Sequence, residues 1–110
     1  MPAQYIPDAG DVVWLNFTPT VGHEQSGHRP ALVLSPAAYN GKTDLMICCP
    51  MTSQIKNYPF HVLIAGPRAS AVQADQVKSV DWRQRKARKK GTVSAEELAE
   101  VRGKIIALIG

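Results

Sequence analysis

Glu24, His28 and Arg29 stand close together in the segment GHEQSGHRP, and Thr52, Ser53 and Lys56 lie at and just beyond the end of the run LMICCPMT. These residue types can break a phosphodiester bond in RNA. Attack by the neighbouring 2′-hydroxyl needs a base to take its proton, donors to stabilise the extra charge on phosphorus, and an acid for the departing 5′-oxygen. A guanidinium offers forked donors to phosphate oxygens, so Arg29 suits charge stabilisation, and the Thr52 hydroxyl adds one more hydrogen bond. Either Glu24 or His28 can serve as proton acceptor, and the route requires no metal. Taken singly, each residue has an ordinary structural use. An arginine before a strand is commonly solvated or ion-paired, Glu24 is a loop carboxylate, and His28 and His61 fit a surface or a satisfied core. The chemistry needs them to converge at one rim, on loops carried by a rigid scaffold.

The elements that must position them are mostly strands. GDVVWLNF (Gly10 to Phe17) alternates, with Val13, Leu15 and Phe17 on one face and Trp14 and Asn16 on the other. PALVLSP is an apolar run between two prolines, which suits a buried strand. NGKTD then reads as a turn, LMICCPMT as a strand, TSQIKN as a loop and YPFHVLIAG as another strand. AVQADQVKSVDW is a weaker strand signal. Only the end changes period. From Ser94 to Ile109, Leu98, Val101, Ile105 and Leu108 form one stripe, and Ser94 and Glu97 have capping-box spacing. The expected fold is mainly β with helices (α+β): a small, strongly curved sheet or barrel closed by a C-terminal amphipathic helix.

A chain of 110 residues with 45% hydrophobic content suits a single domain, residues 1–110, with a real core. Its net charge of +4 favours a polyanionic partner. No apolar run approaches the roughly 18 residues of a membrane helix, and MPAQYIPDAG lacks the charged and apolar parts of a signal peptide. A cytoplasmic protein is expected. Cys48 and Cys49 are adjacent, so strand geometry sends them to opposite faces and argues against a disulfide between them. The histidines and cysteines show no metal-ligand spacing, and neither phosphate-cradling glycine motifs nor a GxSxG serine occur, so neither a metal nor a cofactor is expected.

From Tyr5 to Gly110 the sequence resembles the MazF/PemK family of bacterial toxin endoribonucleases. The resemblance rests on a pattern of three parts, GDVVW, then GHEQSGHRP, then PMTSQ, and on ADQVKSVDWRQRKARKKGTVSAEELAEVRGKIIALIG at the end. It implies an SH3-like barrel, a homodimer and an acidic antitoxin protein. It also implies roles for individual residues. Arg29 matches the catalytic arginine, Thr52 the threonine that hydrogen-bonds the reacting phosphate, and Glu24 a position implicated in activity. His28, Lys56, Gln76, Trp14 and Asn16 are implied near the RNA path. For Trp14, a core role and a base-stacking role fit equally well.

The run WRQRKARKK supplies Arg83, Arg85, Lys86, Arg88, Lys89 and Lys90. It reads as a charged connection before the helix, and also as a surface that attracts RNA phosphates or an acidic antitoxin tail. The function expected is therefore that of a sequence-specific toxin that cuts single-stranded mRNA to a 2′,3′-cyclic phosphate and a 5′-hydroxyl and so blocks translation. Two readings from other classes stand beside it: a non-catalytic toxin of the same fold that poisons a topoisomerase, and an RNA-binding module. The first predicts that Arg29 and Thr52 are dispensable, and the second that salt-dependent RNA affinity survives Thr52→Ala while the RNA stays intact.

Overall fold

Apolar runs punctuated by proline and glycine become the strands of one curled sheet. In chain order the elements are β1 (Asp11–Asn16), β2 (His28–Val33), α1 (Ala37–Thr43), β3 (Leu45–Thr52), β4 (His61–Ile64), β5 (Ser70–Gln73), β6 (Lys78–Asp81), β7 (Arg88–Thr92) and α2 (Ala95–Ile109). The computed structural model describes residues 4–16 and 28–110, so Phe17 and Glu24 lie outside the described residues. Strands pair in the order β4-β5-β3-β2-β1-β7, with β6 also on β3. Every pairing is antiparallel. The result is a half-barrel with a C-terminal helix, the mainly β class expected.

β3 organises the sheet because it is buried on both faces. Cys49 and Met51 join Val12, Leu32, Val62, Val72 and Val101 in one core cluster. Met46 and Cys48 join Val13, Leu15, Val33 and Trp82 in the other. The two cysteines thus point to opposite faces, as alternation requires, and both are free thiols. Burial pushes the Cys48 thiol up to about 11 and the Cys49 thiol up to about 12. The weak strand signal of AVQADQVKSVDW becomes two strands that run back along β3. Their registers with it, Met51↔Val72 and Cys48↔Lys78, leave extra residues between them as a turn.

Three expectations need correction. Asn40 to Thr43 of the NGKTD segment are the end of α1, and Asp44 is its left-handed C-cap at φ 61°. The helix lacks an apolar stripe; a buried network holds it. Asn40 is fully buried, accepts the Ser35 hydroxyl proton at 2.6 Å and donates to the carbonyls of Pro7 and Ser35 at 2.8 and 2.9 Å. The Trp82 indole N–H donates to the Asn40 carbonyl at 2.9 Å. Secondly, the basic run is not wholly a connection. Arg88 to Lys90 belong to β7, whose backbone completes the β1 edge, with Trp14 opposite Arg88. Thirdly, the stripe of α2 ends early. Val101 is buried and Leu98 and Ile105 pack on the core, but Leu108 is 46% exposed. Lys104 already reaches the Pro59 carbonyl ahead of β4, so the last helical turn extends past the strand the helix packs on.

The N-terminus of α2 follows the sequence closely. Ser94 Oγ accepts from the Glu97 N–H at 3.1 Å, and Glu97 Oε1 accepts from the Ser94 N–H at 2.8 Å. This reciprocal cap satisfies donors that a helix start otherwise leaves orphaned. Gly10 sits at φ 92°, where a side chain would strain the turn into β1.

Asn40→Ala leaves a buried hydroxyl and two carbonyls without their partner. It is expected to cost about 2–4 kcal/mol, or roughly 10–20 °C in Tm, read by thermal denaturation. Iodoacetamide at pH 8 is expected to leave both thiols unmodified in the folded protein and to label both after denaturation.

Candidate functional site

Antiparallel pairing brings the N-terminal end of β2 beside the C-terminal end of β3. The register Ala31↔Pro50 and Leu32↔Cys49, continued by two places, sets Arg29 across from Thr52. Both line a cleft of about 970 Å³ together with Trp14, His28, Gln54, Arg68, Gln73 and Lys90. One wall is β1 with β7, the floor is the β2–β3 rim, and the far wall is the β4–β5 loop at Ala65 to Ala69.

The cleft is cationic. Arg29, Arg68 and Lys90 line it, whereas among the described residues no aspartate or glutamate does. Three carboxylates are held elsewhere by structural partners. Asp11 accepts from the Tyr5 hydroxyl at 2.6 Å and lies 3.7 Å from the Lys89 ammonium, and Asp44 pairs with Arg83. Glu97 accepts from the backbone of Ser94 and of Ala65, and these bonds hold its carboxyl below the usual glutamate range. Arg29 is half-buried and makes no ion pair among the described residues. It also borders a second hollow of about 410 Å³ that Lys78, Ser79 and Arg85 share. A half-buried guanidinium without a carboxylate is poised for an exogenous anion.

Thr52 is similarly prepared. Its Oγ1 accepts from the Gln54 N–H at 3.1 Å, which fixes the oxygen and leaves the hydroxyl proton to donate into the cleft. Trp14 is half-buried in the wall, with the Lys90 ammonium 5.3 Å from its ring centroid. Trp14 thus lines the cleft and belongs to neither core cluster. His28 begins β2 at the cleft edge and is exposed.

Other residues singled out by sequence lie apart. Lys56 and Gln76 are exposed but do not line the cleft. Asn16 is outside the lining as well; its N–H donates to the Arg85 carbonyl at 2.8 Å and ties the end of β1 to the turn after β6. The basic run is divided by the fold. Arg83 stacks 4.5 Å over Trp82 and pairs with Asp44, Lys89 faces Asp11, Arg85 borders the second hollow, and Lys90 enters the cleft. Arg88 is exposed on β7, and Lys86 is exposed at φ 52° in the turn. Arg68 and Gln73 were not singled out by the sequence reading. The Gly66-Pro67 pair is a turn signal that could have located the loop, but nothing in residue spacing marks its arginine. Among the described residues no group of histidine, cysteine or acidic side chains is arranged to hold a metal, and no helix is long and apolar enough to cross a membrane.

Residues 8–109 match the family of PemK-like, MazF-like toxins of type II toxin–antitoxin systems. The chain is 54% identical to the endoribonuclease toxin MazF of Escherichia coli K12, with both chains covered in full. It is similar to the crystal structure of MazF from Deinococcus radiodurans, with a TM-score of 0.87 and 56% identity over 97% of this chain and 99% of that one. A MazE–MazF crystal structure from the same organism gives a TM-score of 0.88 and 51% identity over 97% and 98%.

A short single-stranded oligonucleotide is expected to quench tryptophan emission through Trp14, and added salt is expected to weaken the effect. Trp14→Phe leaves only Trp82, buried behind Asn40, and is expected to abolish the quench. A quench that survives the substitution would place the ligand elsewhere.

Proposed function

As the chain belongs to the PemK-like, MazF-like family of toxins of type II toxin–antitoxin systems, we propose that it is an endoribonuclease toxin that cleaves single-stranded mRNA and is held inactive by an acidic antitoxin. The observation that carries this reading is the meeting of an unpaired Arg29 and the Thr52 hydroxyl in one cationic cleft that no carboxylate lines among the described residues. The positive charge of Arg29, Arg68 and Lys90 attracts a polyanion to such a cleft.

The reaction runs through attack of the 2′-oxygen on the adjacent phosphorus. Arg29 donates from its guanidinium fork to the non-bridging oxygens as charge builds on them, and Thr52 adds a neutral donor. Both interactions strengthen in the transition state, when the phosphate gains charge. Glu24 or His28 takes the 2′-proton, and a protonated group beside the leaving 5′-oxygen completes the transfer. The products are a 2′,3′-cyclic phosphate and a 5′-hydroxyl. Trp14 offers a face for a base beside the scissile phosphate. Lys90 extends the positive edge with His28 beside it, and Lys56, Gln76 and Asn16 lie farther along the RNA path.

The same positive surface suits an antitoxin tail. One Deinococcus radiodurans relative is described in complex with MazE, and Lys90 with the exposed Arg88 and Lys86 offers charge complementarity to an acidic segment. Competition for a single cleft then accounts for inhibition. The working unit is one domain, residues 1–110, acting as a cytoplasmic homodimer.

The test is incubation of the wild type, Arg29→Ala and Thr52→Ala with a long single-stranded RNA in excess EDTA, followed by mapping of the new ends. Discrete wild-type cuts bearing 2′,3′-cyclic phosphates are expected. Arg29→Ala is expected to lose at least about 10²-fold in kcat, and Thr52→Ala roughly 10- to 100-fold. Intact RNA with folded, antitoxin-free wild type would overturn the ribonuclease reading. RNA bound but uncut would favour the binding module, and inhibition of a topoisomerase instead would favour the non-catalytic toxin.

A further inference from the structure

We propose that Arg68, on the β4–β5 loop, is a further phosphate-binding residue of the cleft, and that Glu97 on α2 is the positioning residue that holds this loop in place. The inference deepens the ribonuclease reading and rests on it.

Register fixes where the loop must be. Ile64 pairs with Ser70, so the five residues Ala65 to Ala69 close the hairpin at the far side of the cleft from Arg29. Arg68 is exposed, lines the cleft and forms no ion pair among the described residues. An exposed arginine is ordinarily a solvated surface group. This one lines the same cleft as Arg29 and Lys90, so a chain whose scissile phosphate sits on Arg29 can present a flanking phosphate to it.

A surface loop of exposed residues needs an anchor to hold a side chain in a useful place. Glu97 supplies one across 32 residues of sequence, because its Oε2 accepts from the Ala65 N–H at 2.7 Å. Its Oε1 accepts from the Ser94 N–H at 2.8 Å in the helix cap. Each carboxylate oxygen therefore serves one backbone donor, and the same residue caps α2 and fixes the cleft wall. A glutamine at 97 keeps the size but turns an NH₂ group toward one of these N–H donors. Ser94→Ala removes the cap hydroxyl and leaves the Ala65 bond untouched, so the two roles separate.

The experiment measures steady-state cleavage of an oligonucleotide spanning a mapped cut, across a series of KCl concentrations, for the wild type, Arg68→Ala, Arg68→Lys, Glu97→Gln, Ser94→Ala and the Arg68→Ala/Glu97→Gln pair. Arg68→Ala is expected to raise KM roughly three- to tenfold with kcat within about twofold, and to reduce the slope of log KM against log salt by about 0.7, the share of one phosphate on a single strand. Arg68→Lys should restore that slope. Glu97→Gln should raise KM in the same direction, and the double variant should be no worse than Arg68→Ala alone, because the anchor acts through the arginine. Ser94→Ala should lower Tm and leave KM unchanged. Wild-type KM and slope in Arg68→Ala would overturn the proposal, as would equal KM shifts in Glu97→Gln and Ser94→Ala or fully additive effects in the double variant. The same variants titrated with fluorescent single-stranded DNA report the phosphate contact without cleavage. Uncut RNA with the wild type thus counts against the ribonuclease reading, while the DNA slope still decides for or against Arg68.

Discussion

Burial of β3 on both faces is the constraint on which the rest of the structure depends. A strand with apolar side chains on each side must have a layer above and a layer below, and it must be paired along both edges. β2 takes one edge, and β6 and β5 share the other in succession. One face is covered by the Val101 side of α2, the other by Trp82, Leu15 and the partly buried Tyr5. A short chain can satisfy these demands only by curling its sheet, and the curl leaves a rim. Arg29 and Thr52 sit on that rim because they occupy adjacent strand ends, where the apolar demand of the core has just ceased.

Electrostatics then follow from where carboxylates are used. Asp11 joins the N-terminal segment to β7 through Tyr5 and Lys89, Asp44 stops α1 and pairs with Arg83, and Glu97 serves the cap of α2 and the Ala65 amide. None of these faces the cleft. A net charge of +4 spread evenly would give only a weak general attraction. With Asp11, Asp44 and Glu97 held in structural bonds away from the rim, Arg29, Arg68 and Lys90 share a common field in the cleft.

Helix α2 was legible in detail because its signals are local: apolar residues at helical spacing, a serine, and a glutamate three positions on. The strand character of LMICCPMT and the opposite faces of Cys48 and Cys49 were legible for the same reason. Helix α1 was not. Asn40, Gly41 and Lys42 carry the composition of a turn, and the helix is kept by the contacts of Asn40 with nearby Ser35 and with Pro7 and Trp82, which are distant in sequence. Strand β7 was hidden likewise, since RKKGT has no buried face and is a strand only because the β1 edge needs a partner.

The sequence by itself determined the mainly β class, the terminal helix with its cap, the positive charge, and the residue types able to stabilise charge on a phosphate at Arg29 and Thr52. It did so because backbone propensity, side-chain period and chemical type are properties of a residue and its near neighbours. Tertiary structure alone decided which cations act together. It sent Arg83 to Asp44, Lys89 to Asp11 and Lys90 to Trp14, although the three lie within one run of sequence. It brought Arg68, from a loop with no motif, to the cleft of Arg29. The physical reason is that an ion pair or a shared cleft depends on distance through space, and strand pairing sets that distance between residues far apart along the chain.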